Sequence, residues 1–208
     1  MDAGPVGLDG VAAGLVARAG LRFAVAGDEV ARDAAYRLRA QAVVDSGWQP
    51  ASDFPDGREH DAYDDRAVHI VGWDGGDIVA TGRIVLPPGP LPTEAACGRT
   101  IEPAGRVADV GRMAVARAYQ DTRHPAFVAL LARLYLEVRA RGFDLACGMM
   151  SPRARSLLRL LGVRLEVLGD DRPYCGDARA PVRFSLVEND LPLSTRWRAP
   201  SPPATPAP

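Results

Sequence analysis

The chain has 208 residues, 47% of them hydrophobic and 25% charged, and its formal net charge at pH 7 is -1. These values are typical of a globular protein with a single core. A charge so close to zero excludes a general attraction to nucleic acid or to an anionic membrane surface, so we expect neither as a partner. The start of the chain lacks the basic and apolar segments of a signal peptide, which favours a cytoplasmic location.

The basic and sulfur-containing residues exclude further kinds of chemistry. All 25 basic residues are arginines, so lysine-dependent chemistry such as a Schiff base is excluded. The three cysteines, Cys97, Cys147 and Cys175, lie far apart and have no metal-binding spacing with the histidines. We therefore expect reduced thiols, no metal site and no bound cofactor.

The first half of the chain predicts a strand, a long helix and a β-hairpin. Residues 21–26 alternate like a strand, and Asp28 is placed to cap a helix that extends to about Val44. Residues 47–66 are rich in Asp, Gly, Pro and Ser, which predicts a loop. Two strands joined by an Asp-Gly-Gly-Asp turn follow, at residues 67–73 and 78–86.

The second half predicts alternating strands and helices after another loop. Residues 87–106 hold many prolines and glycines and are predicted to be that loop. The apolar patterns then indicate strands and helices at residues 107–115, 125–141, 145–150, 151–161, 163–168 and 182–187, the second and fourth being the helices. This order predicts an α/β (α+β) fold with a mixed, mostly antiparallel central sheet and helices on both faces.

One domain is predicted over residues 21–190. Residues 1–20 are small and weakly amphipathic, and we interpret them as an N-terminal extension with a short helix. Residues 191–208 are rich in Pro, Ala, Ser and Thr, cannot supply a core, and are predicted to be a disordered tail.

Charged residues recur in and beside the predicted strands between positions 59 and 112. Three acids, Glu59, Asp61 and Asp64, lie within six residues of a loop. Two arginines, Arg83 and Arg112, follow in strand-like segments. Because charged residues in strands are rarely buried unless they are paired, we predict a polar site built into the sheet that holds a charged substrate.

Five short segments carry a resemblance to a known family: Tyr36-Arg37-Leu38-Arg39, Gly47-Trp48, Glu59-x-Asp61-x-x-Asp64, Gly82-Arg83 and Asp109-x-x-Arg112. Together they resemble the acyl-homoserine-lactone (autoinducer) synthases of the GNAT acyltransferase superfamily, over residues 21–187. The resemblance implies a GNAT-like fold and a transferase that uses S-adenosyl-methionine as a substrate, not as a cofactor. An acyl carrier protein thioester is then the implied acyl donor, and methylthioadenosine is released.

The resemblance also implies roles for individual residues. Glu59, Asp109 and Arg112 are the implied catalytic residues, with Glu59 or Asp109 as the base. The implied substrate-binding residues are Arg39, Trp48, Asp61, Asp64 and Arg83. Carboxylates suit the cationic groups of S-adenosyl-methionine, arginine suits its carboxylate, and tryptophan suits its sulfonium or adenine. Each residue also has a structural alternative, as a turn acid, a sheet ion pair or a core anchor.

Two departures from the family pattern concern the acyl step more than the S-adenosyl-methionine site. Asp109 stands where the family usually has glutamate, and its side chain is one methylene shorter. Ala42 and Val43 occupy the stretch in which the family has an aromatic residue.

A basic patch is a second candidate feature. Arg153, Arg155 and Arg159 recur at helical spacing in the predicted helix 151–161. Acyl carrier proteins are acidic, so this patch is a candidate docking surface with salt-sensitive affinity. The alternative is an ordinary solvated helix face.

Three other functions are compatible with the same residues. A GNAT-type synthase of this kind can acylate another amino acid or a peptide amine. Without an acyl donor, intramolecular displacement of methylthioadenosine from S-adenosyl-methionine gives a cyclopropane amino acid (1-aminocyclopropane-1-carboxylate) or a lactone. The non-enzymatic alternative is an acyltransferase fold that serves as a binding module.

Overall fold

The computed structural model describes residues 8–120, 125–160 and 162–187, and the predicted tail at 191–208 lies outside them. Five α-helices are described: α1 (Leu8–Arg18), α2 (Glu29–Asp45), α3 (Pro92–Cys97), α4 (Pro125–Ala140) and α5 (Pro152–Leu160). Eight strands accompany them: β1 (Arg22–Val25), β2 (Val68–Asp74), β3 (Asp77–Val85), β4 (Val107–Val115), β5 (Leu145–Met150), β6 (Glu166–Val167), β7 (Arg172–Tyr174) and β8 (Asp177–Ser185). In these ranges no helix is long and apolar enough to cross a membrane.

The strands form one mixed sheet in the order β1-β2-β3-β4-β5-β8-β6, and β7 pairs with β8 off this path. Among the described strands, β4 and β5 are the one parallel pair, and all the others pair antiparallel. Helix α2 packs against β3 and β4, and α4 packs against the same strands through the main core. The predicted mixed, mostly antiparallel sheet with helices on both faces is confirmed.

Local sequence signals account for the two long helices of the sheet layers. Helix α2 begins where the Asp28 side chain accepts a hydrogen bond of 2.8 Å from the Ala31 backbone N–H. Helix α4 buries Leu130, Leu134 and Val138 at helical spacing against the core.

Two parts of the chain differ from the prediction. Helix α3 lies inside the segment predicted as a loop, since the Glu94 carboxylate accepts the Leu91 and Ile101 backbone N–H groups and closes a helical turn there. The predicted strands at 163–168 and 182–187 are also wrong in extent. The first is reduced to β6, whereas the second begins earlier, at β8, because a hairpin turn at Cys175-Gly176 pairs β7 with β8.

Candidate active site

A β-bulge in β4 directs Arg112 toward the α2 side of the sheet. Arg83 pairs with Gly111 and Thr81 pairs with Ala114, so two β4 residues, Arg112 and Met113, stand opposite one β3 residue. Arg112 takes a φ of 50°, a conformation that is rare outside glycine. Without the extra residue, Arg112 would point to the opposite face from Arg83. The bulge instead places Arg83 and Arg112 beside the acidic loop, the segment 59–64 that carries Glu59, Asp61 and Asp64.

Asp64 lies at the buried centre of the resulting ion-pair network. Its carboxylate accepts hydrogen bonds of 2.8 and 3.1 Å from the two terminal nitrogens of Arg39, a two-pronged pair. It also accepts one of 2.9 Å from Arg83 Nη1. Asp64, Arg39 and Arg83 are 5%, 2% and 3% exposed. These three residues tie α2, β3 and the acidic loop together.

Glu59 and Asp61 complete the network toward solvent. The Glu59 carboxylate accepts a hydrogen bond of 2.5 Å from Arg39 Nε and lies 2.9 Å from Arg112 Nε. Asp61 accepts hydrogen bonds of 2.6 Å from Arg83 and 2.9 Å from Arg112. The side chain of Asp61 is 28% exposed and that of Arg112 is 15% exposed, so this pair forms the open end of the network.

The charges of the network balance. Burial by itself raises the pKa of Asp64, but the hydrogen bonds and charges of Arg39 and Arg83 outweigh burial and hold that pKa well below its usual range. His69, whose Nε2 lies 3.3 Å from the Asp64 carbonyl oxygen, is buried, and burial lowers its pKa. His69 is therefore neutral at pH 7, and three carboxylates face three guanidinium groups.

Asp109 is set apart from the network. Its carboxylate is 4% exposed and, in the described part of the chain, has no arginine within ion-pair distance. Oδ2 accepts a hydrogen bond of 2.7 Å from the Thr93 backbone N–H at the start of α3, and Oδ1 faces Gly111. Burial raises the pKa of Asp109 above its ordinary value of 3.8. Of the two predicted base candidates, Asp109 is thus made more basic than an ordinary aspartate by its burial, whereas the Glu59 carboxylate contacts two arginines.

The β7–β8 hairpin contributes residues that the sequence prediction missed. Arg112 Nη1 lies 3.4 Å from Tyr174 Oη and 3.1 Å from Cys175 Sγ. The Gly-containing turn at Cys175-Gly176 was the available signal. Trp48 packs next to Gly176 in this turn, and the Arg179 guanidinium lies 4.6 Å from its ring centroid. One tryptophan face already has a cationic partner, and 38% of the residue is exposed.

The three arginines of the predicted docking patch differ in their contacts. Arg155 donates two hydrogen bonds, of 2.7 and 3.0 Å, to Asp171 and one of 2.8 Å to the Met150 carbonyl. Arg153 and Arg159 are exposed on α5. Arg155 therefore ties α5 to the segment before β7, and the other two remain accessible to a partner.

An apolar cavity of about 140 Å³ lies on the other side of the sheet from the network. Its lining includes Val110 and Met113 of β4, Ala146 and Met150 of β5, and residues of α1 and α4. Among the described residues that line it, Tyr135 and Ser185 are the only ones with polar side chains. Because Arg112 and Met113 are consecutive, the bulge borders the ion-pair network on one face and the cavity on the other.

No arrangement of three or more His, Cys, Asp or Glu side chains suited to a metal ion occurs within the described ranges. Burial also raises the pKa of the Cys147 thiol, which donates to Asp109 Oδ2 at 3.7 Å, so this thiol stays protonated. The site therefore offers carboxylates, guanidinium groups, the Tyr174 phenol and the Cys175 thiol as its chemical groups.

Solved structures with the same fold are acyltransferases of several kinds. A CoA-dependent acyl-homoserine lactone synthase, BjaI, determined with S-adenosyl-methionine and isopentyl-CoA, matches with a TM-score of 0.66 and 19% identity over 87% of this chain and 90% of its own. FeeM, an N-acyl amino acid synthase from uncultured soil microbes, matches with a TM-score of 0.63 and 16% identity over 81% of this chain and 92% of its own. A protein from Desulfovibrio desulfuricans that is assigned to the GNAT acetyltransferases matches with a TM-score of 0.52 and 17% identity over 80% of this chain and 99% of its own.

These matches confirm the predicted GNAT-like, autoinducer-synthase-like fold. No curated protein sequence matches the chain significantly. The family model described as "N-acyl amino acid synthase FeeM" matches residues 34–184, which include every residue of the ion-pair network. The chain therefore belongs to the FeeM family of N-acyl amino acid synthases.

Proposed function

We propose that this chain transfers an acyl group from a thioester donor to the α-amine of an amino acid. One observation carries the proposal: the β4 bulge places the Arg112–Asp61 pair on one face of the sheet and the apolar cavity on the other. An acyl amide synthase needs these two environments side by side, since one substrate is a zwitterion and the other ends in a hydrocarbon chain.

The open end of the network is complementary to an amino acid. An α-amino acid carries one ammonium and one carboxylate, so the bound molecule adds no net charge to a balanced network. In the proposed complex its carboxylate takes the place of the single Asp61 contact at Arg112 and binds the guanidinium in a two-pronged fashion, and its ammonium takes the place of that guanidinium beside Asp61. The deeper pairs around Asp64 keep the loop in position during this exchange.

The reaction forms one bond and breaks one. The ammonium gives one proton to the base, the free amine attacks the thioester carbonyl and forms the C–N bond, the C–S bond breaks, and a second proton from the nitrogen leaves with the thiol. Asp109 is the proposed proton acceptor because its pKa is raised by burial, and an acid with a raised pKa is a better base at neutral pH. Oδ1 faces Gly111 beside the bulge. A water molecule between Asp109 and the amine is the proposed proton carrier.

S-adenosyl-methionine is the second candidate acceptor, in which case methylthioadenosine is released and the product is an acyl-homoserine lactone. The observation that favours it is the partly exposed Trp48 beside the hairpin turn whose Tyr174 and Cys175 contact Arg112, since an adenine or a sulfonium can rest on an indole. Two observations favour an uncharged amino acid side chain instead. The network has no surplus carboxylate for a sulfonium, and Arg179 already lies over the Trp48 ring. Cyclisation of S-adenosyl-methionine without a donor leaves the apolar cavity unused.

An acyl carrier protein is the proposed macromolecular donor, with Arg153 and Arg159 as its contacts on α5. Both side chains are exposed on α5, whereas Arg155 of the same helix is paired with Asp171. CoA thioesters are the alternative donors.

Thiol release tests this function directly. Purified protein is mixed with acyl thioesters from butanoyl to tetradecanoyl, each on CoA and on a carrier protein, and free thiol is followed with a chromogenic disulfide. We expect thiol release that depends on an added amino acid and that falls at least about 100-fold in Arg112→Lys, because lysine cannot make the two-pronged contact. Thioester consumption that no amino acid stimulates, or no consumption at all, would overturn the proposal.

A further inference from the structure

Helix α1 forms a wall of the apolar cavity although it lies outside the part of the chain that matches the family model. That match begins at residue 34, whereas α1 ends at Arg18. Four α1 residues line the cavity: Leu8, Val11, Ala12 and Leu15. They recur at helical spacing on one face, and the first three are 7%, 8% and 3% exposed. This wall is thus supplied by a segment that precedes the matched range.

A polar contact fixes α1 to the neighbouring helix. Tyr135 of α4 donates a hydrogen bond of 2.7 Å from its hydroxyl to the Asp9 carboxylate in the first turn of α1. Tyr135 also lines the cavity. Its ring and its hydroxyl therefore join the cavity lining to the start of α1, and the position of α1 over α4 is defined at that end.

We propose that α1 sets the length of the acyl chain that the enzyme accepts, a role that rests on the proposed acyl transfer. The chain enters from the β4 bulge beside Met113 and ends against the apolar face of α1 around Ala12. An apolar protein cavity of roughly 150 Å³ holds one benzene molecule. A cavity of about 140 Å³ therefore suits an acyl segment on the order of six carbons beyond the bulge.

Two alanines of α1 supply a matched test. Ala12 is buried and lines the cavity, whereas Ala13 is exposed on the other side of the same helix. Ala12→Leu adds the same atoms as Ala13→Leu but places them in the cavity. We expect Ala12→Leu to shift kcat/KM toward shorter acyl thioesters, with at least about a tenfold change in the ratio of dodecanoyl to hexanoyl substrates. Ala13→Leu leaves that ratio as in the unmodified protein.

A variant that enlarges the cavity is expected to shift the chain-length preference the other way. It also keeps the inference testable if Ala12→Leu does not fold. Leu15→Ala removes atoms from the same wall, so we expect the ratio of dodecanoyl to hexanoyl kcat/KM to rise. Near-ultraviolet circular dichroism verifies that each variant is folded. A ratio that stays constant in both folded cavity variants of an active enzyme overturns the role of α1.

A binding measurement separates this inference from the proposed reaction. Titration calorimetry with free dodecanoate and hexanoate reports on the cavity without any turnover. If no thioester is consumed but Ala12→Leu alone weakens dodecanoate binding relative to hexanoate binding, α1 is the wall and the acyl-transfer proposal falls. If amide is formed and fatty acid binding is the same in Ala12→Leu and Ala13→Leu, the reaction stands and the inference about α1 falls.

Discussion

The buried and open ends of the ion-pair network have different tasks at the scale of single residues. Asp64, Arg39 and Arg83 exclude water and connect three elements, so their main effect is on folding. Arg112 and Asp61 are more exposed and can exchange partners with a ligand. We propose that the same residue types serve structure at the buried end and binding at the open end, and the Arg83 contacts with Asp61 and Asp64 are compatible with either role considered for it.

Removal of the Asp64 charge tests the buried end. Asp64→Asn leaves two buried guanidinium groups without a full partner, and breaking a buried pair in this way costs about 3–5 kcal/mol. We expect the urea midpoint at pH 7 to fall accordingly. Asp65→Asn is the matched control, since Asp65 is the exposed neighbour. Equal midpoints for the two variants would contradict a stabilising role for Asp64.

The acid side of the stability profile follows from the same residue. The folded-state pKa of Asp64 is lowered, so its contribution to stability is present above the unfolded-state pKa and is lost as pH falls through the folded-state pKa. The stability difference between the unmodified protein and Asp64→Asn is therefore expected to shrink below about pH 4. A difference that is constant from pH 7 to pH 2, measured by urea denaturation, would exclude this linkage.

The ionisation of Asp109 has the opposite effect on folding stability from that of Asp64. Its folded-state pKa is raised by burial, so its ionisation opposes folding, and this penalty is absent below the ordinary value of 3.8 and develops as pH rises. The free energy of unfolding of Asp109→Asn, relative to that of the unmodified protein, is therefore expected to increase as pH rises from 4 to 7. The substitution should also lower kcat on the order of 100-fold as a lost base. A variant that is both fully active and less stable at pH 7 would remove Asp109 from the mechanism.

At the scale of elements, the contact between β4 and β5 is close and depends on a glycine. The parallel pairing extends from Val107 to Asp109 on β4, although both strands continue. A side chain at Gly148 of β5 would begin 2.6 Å from the Val110 carbonyl oxygen. No adjustment of a flexible side chain relieves a contact with backbone, so the two strands would have to separate beside the bulge.

Gly148→Ala is expected to cost about 1–3 kcal/mol, as overpacking in a core does. It should also lower acyl transfer, because the strands that border the cavity move apart. Gly76→Ala is the control, since nothing lies within 4 Å of the position of its added carbon. The urea midpoint and the thiol-release rate are measured for both variants. Identical values for both would show that β4 and β5 are not closely packed at this point.

Short-range sequence signals predicted the elements that depend on neighbouring residues. The Asp28 cap, the apolar face of α4 and the β2–β3 turn are all short-range signals, and each predicted the observed element. Helix α3 and the β7–β8 hairpin depend on contacts between distant segments, such as the hydrogen bond from the Thr93 N–H to Asp109. A bulge at Arg112 has no signal in the sequence, since arginine rarely adopts positive φ.

At the scale of the whole molecule, the sheet separates the ion-pair network on one face from the apolar cavity on the other. The spacing of acids and arginines predicted the residues of the network, but it did not predict which pairs form, because pairing depends on the bulge. The cavity was not predicted at all. Its lining comes from residues of α1, α4, β4, β5 and other segments that are ordinary core residues in sequence.

The basic face of α5 supports a prediction about the donor. Arg153→Ala and Arg159→Ala are expected to raise KM for a carrier-protein thioester several-fold and to leave KM for the same acyl group on CoA unchanged, since each removes an exposed contact to an acidic partner. The effect should weaken with added salt. Steady-state kinetics with both donors measure it. A rise in KM for both donors alike would assign these arginines to the common acyl or thiol site instead.

The most direct single measurement is the mass of the product. Purified protein is incubated with one acyl thioester and an equimolar mixture of amino acids and S-adenosyl-methionine, and the products are identified by mass spectrometry. We expect an N-acyl amino acid, formed together with free thiol and without methylthioadenosine. Methylthioadenosine with an acyl-homoserine lactone would make S-adenosyl-methionine the acceptor. The absence of any amide would contradict acyl transfer by this chain.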